Sequence, residues 1–128
     1  MEWLKIKCVL SDSFAIIGFV RSPAALGGLG RIELAARRGD DLVYVAGVGT
    51  GFNYRTATDL LRHLRPLVAS KPPVHHRDPN VMWVEPALVA EIEFRGWTDD
   101  QKLRHASFKG LRDKADEAAV HQLSQRPI

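Results

Sequence analysis

The stretch LVAEIEFRGWT, residues 88–98, constrains the fold more than any other part of the chain. In it Leu88, Ala90, Ile92 and Phe94 alternate with Glu91, Glu93 and Arg95. A repeat of two is the period of a β-strand with one face on a core and the other in water. Other segments read the same way. FAIIGFV (14–20) is short and rich in branched and aromatic residues, and the turn-prone RSPAALGGLG follows it. RIELAARRG and DLVYVAGVG flank Gly39-Asp40-Asp41 and predict a hairpin. VMWVE and LVAEIEFRGWT predict a second strand pair, interrupted by Pro86, and RHASFKGLR predicts a last short strand.

One segment departs from this pattern. In RTATDLLRHLRPLVAS (55–70), Leu60, Leu61, Leu64, Leu67 and Val68 recur at helical spacing. Thr56 or Thr58 is available as a cap, and Pro66 should kink or shorten the helix. KPPVHHRDPN (71–80) reads as a proline-rich loop, and residues 115–128 as a frayed helix or disorder. The expected architecture is therefore all-β with one helix near 55–69. Five to six strands and that helix fit a small Greek-key β-barrel, the OB-fold. An SH3-like barrel or an open sheet with a covering helix would give a similar string.

The 128 residues suffice for one domain with a real core. No apolar run approaches the ~18 residues of a membrane span, and the amino terminus lacks the features of a signal peptide. A single cysteine, Cys8, rules out an intrachain disulfide and argues for a reducing, cytoplasmic setting. Net charge is +3, and its distribution is uneven. Residues 101–114 carry Lys102, Arg104, Lys109, Arg112 and Lys114 against Asp113, whereas residues 85–100 carry five carboxylates against Arg95. Such segregation suits either a solvated surface or a face prepared for a polyanion.

Several motifs carry candidate chemistry. In WLKIKC, Lys5 and Lys7 share one face of a strand, which suits a solvated edge or a phosphate. YVAGVGTGF contains Gly47, Gly49 and Gly51 but lacks the Gly-Lys-Ser/Thr ending of a P-loop, so a tight connection needing positive φ is the expectation. His75 and His76 are adjacent in an extended loop and point apart, which argues against a metal site. The aromatic residues Trp3, Phe52, Tyr54, Trp83, Phe94, Trp97 and Phe108 suit core packing or a base-stacking platform. In SFKGLRDK, Arg112 with Lys109 or Lys114 suits a phosphate clamp or a solvated basic turn.

Taken in order, WLKIKC, AGVGTGF, WVEPALVAEIEFRGWT and LRHASFKGLR resemble the C-terminal OB domain of ATP-dependent DNA ligases. The likeness is nearest to the ligase module of bacterial end-joining ligase D. It implies that residues 1–10 are the motif V strand of an upstream nucleotidyltransferase domain plus a hinge, 11–114 the OB domain and 115–128 a tail. It assigns Lys5 and Lys7 to the nucleotide phosphates, and Arg112 and Lys114 to motif VI, which orients the departing pyrophosphate. The family continues its motif VI arginine as Arg-x-Asp-Lys, whereas this chain has Arg112-Asp113-Lys114, one residue shorter.

Contacts to DNA are expected from Arg37, Arg38, Arg62, Arg65, Lys102, Arg104 and Lys109. The parent enzyme would use ATP with Mg or Mn and act on nicked or broken duplex DNA. Its setting would be the bacterial nucleoid, with end-joining proteins as candidate partners. No Lys-x-Asp-Gly tetrapeptide, the family's nucleophilic motif, occurs in the 128 residues, so the chain alone is expected to be non-catalytic; the isolated domain is also expected to be monomeric. The reading from a different class is a free-standing OB single-strand binder or interaction module.

Overall fold

The computed structural model describes residues 10–38, 41–69 and 79–112, except the side chains of Leu26, Arg38, Asp41 and Arg112. Among the described residues, seven strands and one α-helix follow in order: β1 (Leu10–Arg21), β2 (Leu29–Arg38), β3 (Asp41–Val48), α1 (Tyr54–Leu64), β4 (Met82–Phe94), β5 (Gly96–Trp97), β6 (Leu103–Arg104) and β7 (Ser107–Arg112). Five of them form an antiparallel sheet in the order β3-β2-β1-β4-β7, and β5 pairs with β6 in a separate two-stranded ribbon. Long antiparallel strands with the helix inserted between β3 and β4 make this the expected OB arrangement. The alternation in LVAEIEF holds: Leu88, Ala90, Ile92 and Phe94 all lie in the main core.

The sheet curls until its ends meet. Beyond β3, the Thr50 carbonyl accepts the Phe108 amide at 3.0 Å, and the Thr50 hydroxyl donates to the Ala106 carbonyl at 3.2 Å. These bonds join the β3 edge to β7 and turn the sheet into a barrel, which removes a long unpaired edge. Gly51, the next residue, has φ +93°. A Cβ there would sit 2.3 Å from the Phe108 carbonyl oxygen and 2.7 Å from its amide nitrogen. The positive φ expected of the glycine-rich stretch is found, and it falls at the closure.

The barrel interior is packed by Phe14, Ile16, Phe19, Ile32, Leu34, Val45, Val48, Ile92 and Phe94, and α1 adds Ala57, Leu60, Leu61 and Leu64. Phe14, Phe94 and Trp97 meet edge-to-face at centroid distances of 5.5–6.1 Å. Phe52 and Phe108 stack at 5.1 Å beside the closure. Such pairs add specificity of geometry to the area they bury. Among the described residues, no helix is long and apolar enough to cross a membrane.

The structure corrects two expectations. VMWVE and LVAEIEF are not a strand pair but one strand, β4, running antiparallel to β1 on both sides of Pro86. Ile16 pairs with Leu88 and Gly18 with Trp83, so four residues of β4 oppose Ile17 alone. Pro86 lies inside this bulge, where no ladder donor is required of it. The bulge also turns Val84 toward Val68, and the Ala69 amide donates to the Trp83 carbonyl at 2.8 Å.

The helix cap differs as well. Asn53, not Thr56 or Thr58, is the N-cap, and its side chain accepts the Thr56 amide at 2.8 Å. The Thr56 hydroxyl accepts the Asn53 amide in return, closing a capping box. Thr58 instead donates back to the Tyr54 and Arg55 carbonyls. Pro66 does shorten the helix: α1 stops at Leu64 and a 3-10 turn covers Arg65–Leu67. Replacing Asn53 by Ala should cost about 1 kcal/mol, because the Thr56 amide loses its side-chain acceptor. Thermal melts of the chain will show a fall of a few degrees.

Candidate nucleic-acid and nucleotide interface

The segregation of charge along the sequence does not survive folding. β4 and β7 are antiparallel neighbours, with Glu93 opposite Ser107 and Glu91 opposite Gly110. The acidic and basic segments therefore lie side by side, and Lys109 Nζ is 3.3 Å from Glu93 Oε1. Glu91 in turn accepts the Ser11 hydroxyl at 2.9 Å and the Ser13 hydroxyl at 3.3 Å. This side of the barrel is close to charge-balanced.

The remaining candidate cations sit on separate elements. Arg62 pairs with Asp59 three residues earlier on α1 and is largely exposed, and Arg65 is exposed at the helix's end. Arg104 is exposed on β6, opposite Gly96. Lys102 donates to the Asp100 carbonyl at 3.3 Å and lies 6.0 Å from the centre of the Tyr44 ring, within reach of a cation–π attraction. Tyr44 pairs with Ala35 across β3 and β2, and Arg37 is the next residue on that face of β2. The fold thus brings Lys102 and Arg37, 65 positions apart in sequence, to one side of the barrel.

Arg37 is half-buried, and its Nε has no hydrogen-bond partner among the described residues. A desolvated guanidinium donor without an acceptor is costly unless something supplies one. Arg38 stands opposite Asp41 at the tip of the same hairpin. The backbone of Arg112 ends β7 opposite Val89. The side chains of Arg38 and Arg112, and all of Lys5, Lys7, Cys8, His75, His76 and Lys114, lie outside the described residues.

Sequence reasoning missed one pair on this face. Glu33 is completely buried although alternation places it on the outside of β2, and it pairs with Arg31 two residues before it. Its register partner is Gly47. The signal was present in the run RIE opposite AGVG, but it needs the β2–β3 register to be seen. As for a base-stacking platform, Phe52, Phe94, Trp97 and Phe108 pack with the core, and Trp83 covers Ile17 and Ala35. Among the described aromatics only Tyr54, at 65% exposure, stands open to solvent.

Comparison with known proteins decides the family. The profile described as "ATP dependent DNA ligase C terminal region" matches residues 25–115. This chain belongs to that family. It is 28% identical, over 98% of its length, to the multifunctional non-homologous end joining protein LigD of Pseudomonas aeruginosa. Against the LigD of Mycolicibacterium smegmatis the identity is 30% over 93% of the chain. In both cases the chain spans only 16% of the relative's length. The ligase domain of Mycobacterium tuberculosis LigD superimposes with a TM-score of 0.76 at 28% identity, covering 86% of this chain and 38% of that one. A mycobacterial DNA ligase D complexed with ATP and MES gives 0.71 at 30% identity, covering 84% and 36%. The OB arrangement is therefore shared with ligase domains of the LigD type.

Proposed function

We propose that this chain is the OB domain with which an ATP-dependent DNA ligase of the LigD type first closes over ATP and then clamps nicked duplex DNA. The observation that carries this reading is the family match across residues 25–115, on a barrel that superimposes on an ATP-complexed ligase D. In this reading residues 1–10 bring motif V from an upstream nucleotidyltransferase domain, 11–114 form the OB domain and 115–128 the tail. The nucleophilic lysine lies upstream, so the chain by itself seals nothing.

Lys5, Lys7, Arg112 and Lys114 are assigned to the phosphates of the nucleotide. Their chemistry fits: lysine supplies a compact charge, and arginine a planar fork that can hold two phosphate oxygens. No cluster of three or more metal-ligating side chains occurs among the described residues. The Mg or Mn ion of the parent enzyme is assigned to the upstream domain, where it would neutralise phosphate charge. Of the residues assigned to DNA, Arg37 and Lys102 belong to the barrel side described above, Arg38 follows Arg37 at the end of β2, and Arg104 is on β6. Arg62, Arg65 and Lys109 are assigned secondary contacts. These groups would engage the sugar-phosphate backbone, so binding should fall with salt and show little sequence preference. End-joining proteins and a nucleoid setting follow from the same reading.

The test is a titration of the chain with a nicked duplex and with single strands at roughly 50 mM and 200 mM salt. We expect the duplex to bind more tightly and its affinity to fall at least tenfold across that range. A clear preference for single strands would instead support an independent single-strand binder, whose stacking contacts would draw on aromatics of which, among the described residues, Tyr54 alone is open to solvent.

A further inference from the structure

The pair Arg31–Glu33 is hard to explain as packing. Glu33 has 0% of its side chain exposed, while Arg31 keeps 40%. One carboxylate oxygen of Glu33 accepts Arg31 Nε, and the other, Oε1, has no hydrogen bond among the described residues. A buried, half-satisfied carboxylate is an expensive way to fill the outer face of a strand. The pair also dictates what lies opposite. A Cβ at Gly47 would come 3.1 Å from Glu33 Oε1 and 3.2 Å from both Cδ and Nε of Arg31. Gly47, Gly49 and Thr50 beside it are all exposed. The arginine stem therefore lies over a strand stripped of side chains, with its guanidinium held by a carboxylate that solvent does not reach.

We propose that Arg31 is a DNA phosphate contact whose guanidinium is positioned by buried Glu33 across the bare Gly47–Gly49 backbone. The proposal rests on the duplex-binding function above and adds a pair that the sequence did not single out. A floor without side chains lets a phosphodiester approach closely, and a guanidinium already held in place loses less freedom on binding than a loose lysine. Arg31 shares the outer face of β2 with Arg37, so the two arginines would follow one backbone.

Removing Arg31 alone leaves a buried, unpaired carboxylate and risks unfolding, so the decisive variant is the double substitution Arg31→Gln with Glu33→Gln. It leaves the net charge unchanged. Titration of the 128-residue chain with nicked duplex over a salt series should show the log–log slope falling by about 0.9, the value of one lost phosphate contact. A wild-type slope in a folded double variant overturns the proposal. Glu33→Ala separates positioning from simple charge. Deleting a negative charge should tighten binding to a polyanion if Arg31 acts only through electrostatics, whereas a freed Arg31 should bind several-fold more weakly. Glu33→Gln, which can still accept the Nε hydrogen, should restore most of that loss. Tighter binding by Glu33→Ala counts against the proposal. If the wild-type chain shows no salt-dependent binding to duplex at all, the duplex-binding function itself fails, and this assignment with it.

Discussion

Gly51→Ala is expected to lower the melting temperature by roughly 10 °C or more, a loss of about 3 kcal/mol on a domain of this size. Two effects combine. At φ +93° an L side chain is strained on its own account. In addition, the new methyl would sit 2.3 Å from the Phe108 carbonyl oxygen and 2.7 Å from both the Phe108 amide and the Ser107 hydroxyl. Two of these neighbours are backbone, which cannot swing away as a side-chain end can. The chain can accept the methyl only by moving β7 from Thr50, which breaks the bond between the Phe108 amide and the Thr50 carbonyl. The barrel would open at this seam, and the Phe52–Phe108 stack beside it would loosen. Gly49→Ala is the control. Its methyl would meet the Gly30 carbonyl at 3.1 Å and Arg31 Cβ at 3.7 Å, at a φ outside the positive region, so its cost should be under half as large. Thermal melts of both variants check this; equal melting temperatures for Gly51→Ala and wild type would mean that the seam is not where the structure puts it.

That seam shows which parts of the fold could be read in advance. The periodicity of Leu88, Ala90, Ile92 and Phe94 is local, and so is the helical spacing of Leu60, Leu61 and Leu64; both elements appear as expected. The hairpin around Gly39-Asp40 was legible for the same reason, and Arg38 does pair with Asp41. What could not be read is whatever depends on who lies alongside whom. Pro86 looks like a terminator until β1 is seen to need no donor from it. Glu93 and Lys109 look like members of opposed charge blocks until β4 and β7 are paired. Glu33 reads as an outward-facing strand residue, and only the register with Gly47 explains how a carboxylate can be tucked there. For the site, order and identity of motifs reached the ligase family, because four short signatures in sequence are specific even when each is weak. The partners of individual cations are set by cross-strand neighbours, which no spacing along the chain reveals.

Arg112→Ala, made in the proposed parent ligase, should reduce self-adenylylation by about 10²- to 10³-fold, the usual effect of removing a positioned cation from a developing charge. In the proposed reaction, attack of an upstream lysine on the α-phosphorus of ATP would break the bond to pyrophosphate, and negative charge would accumulate on the leaving oxygens. A guanidinium set against the β- and γ-phosphates would stabilise that charge more in the transition state than in the bound nucleotide, which is the condition for catalysis. The strand context supports such precision. Arg112 stands opposite Val89 on β4, whose side chain is almost wholly buried, so the backbone that carries the guanidinium belongs to the sheet and not to a loop. Arg112→Lys should recover only part of the activity, because an ammonium cannot hold two oxygens as a planar fork does. Sealing of a nick that is already adenylylated releases AMP, not pyrophosphate, and should be largely spared. Comparing single-turnover rates of the two steps therefore separates the roles. A loss of the same size in both would place Arg112 in general DNA binding or in the stability of β7, and the assignment to pyrophosphate would have to be given up.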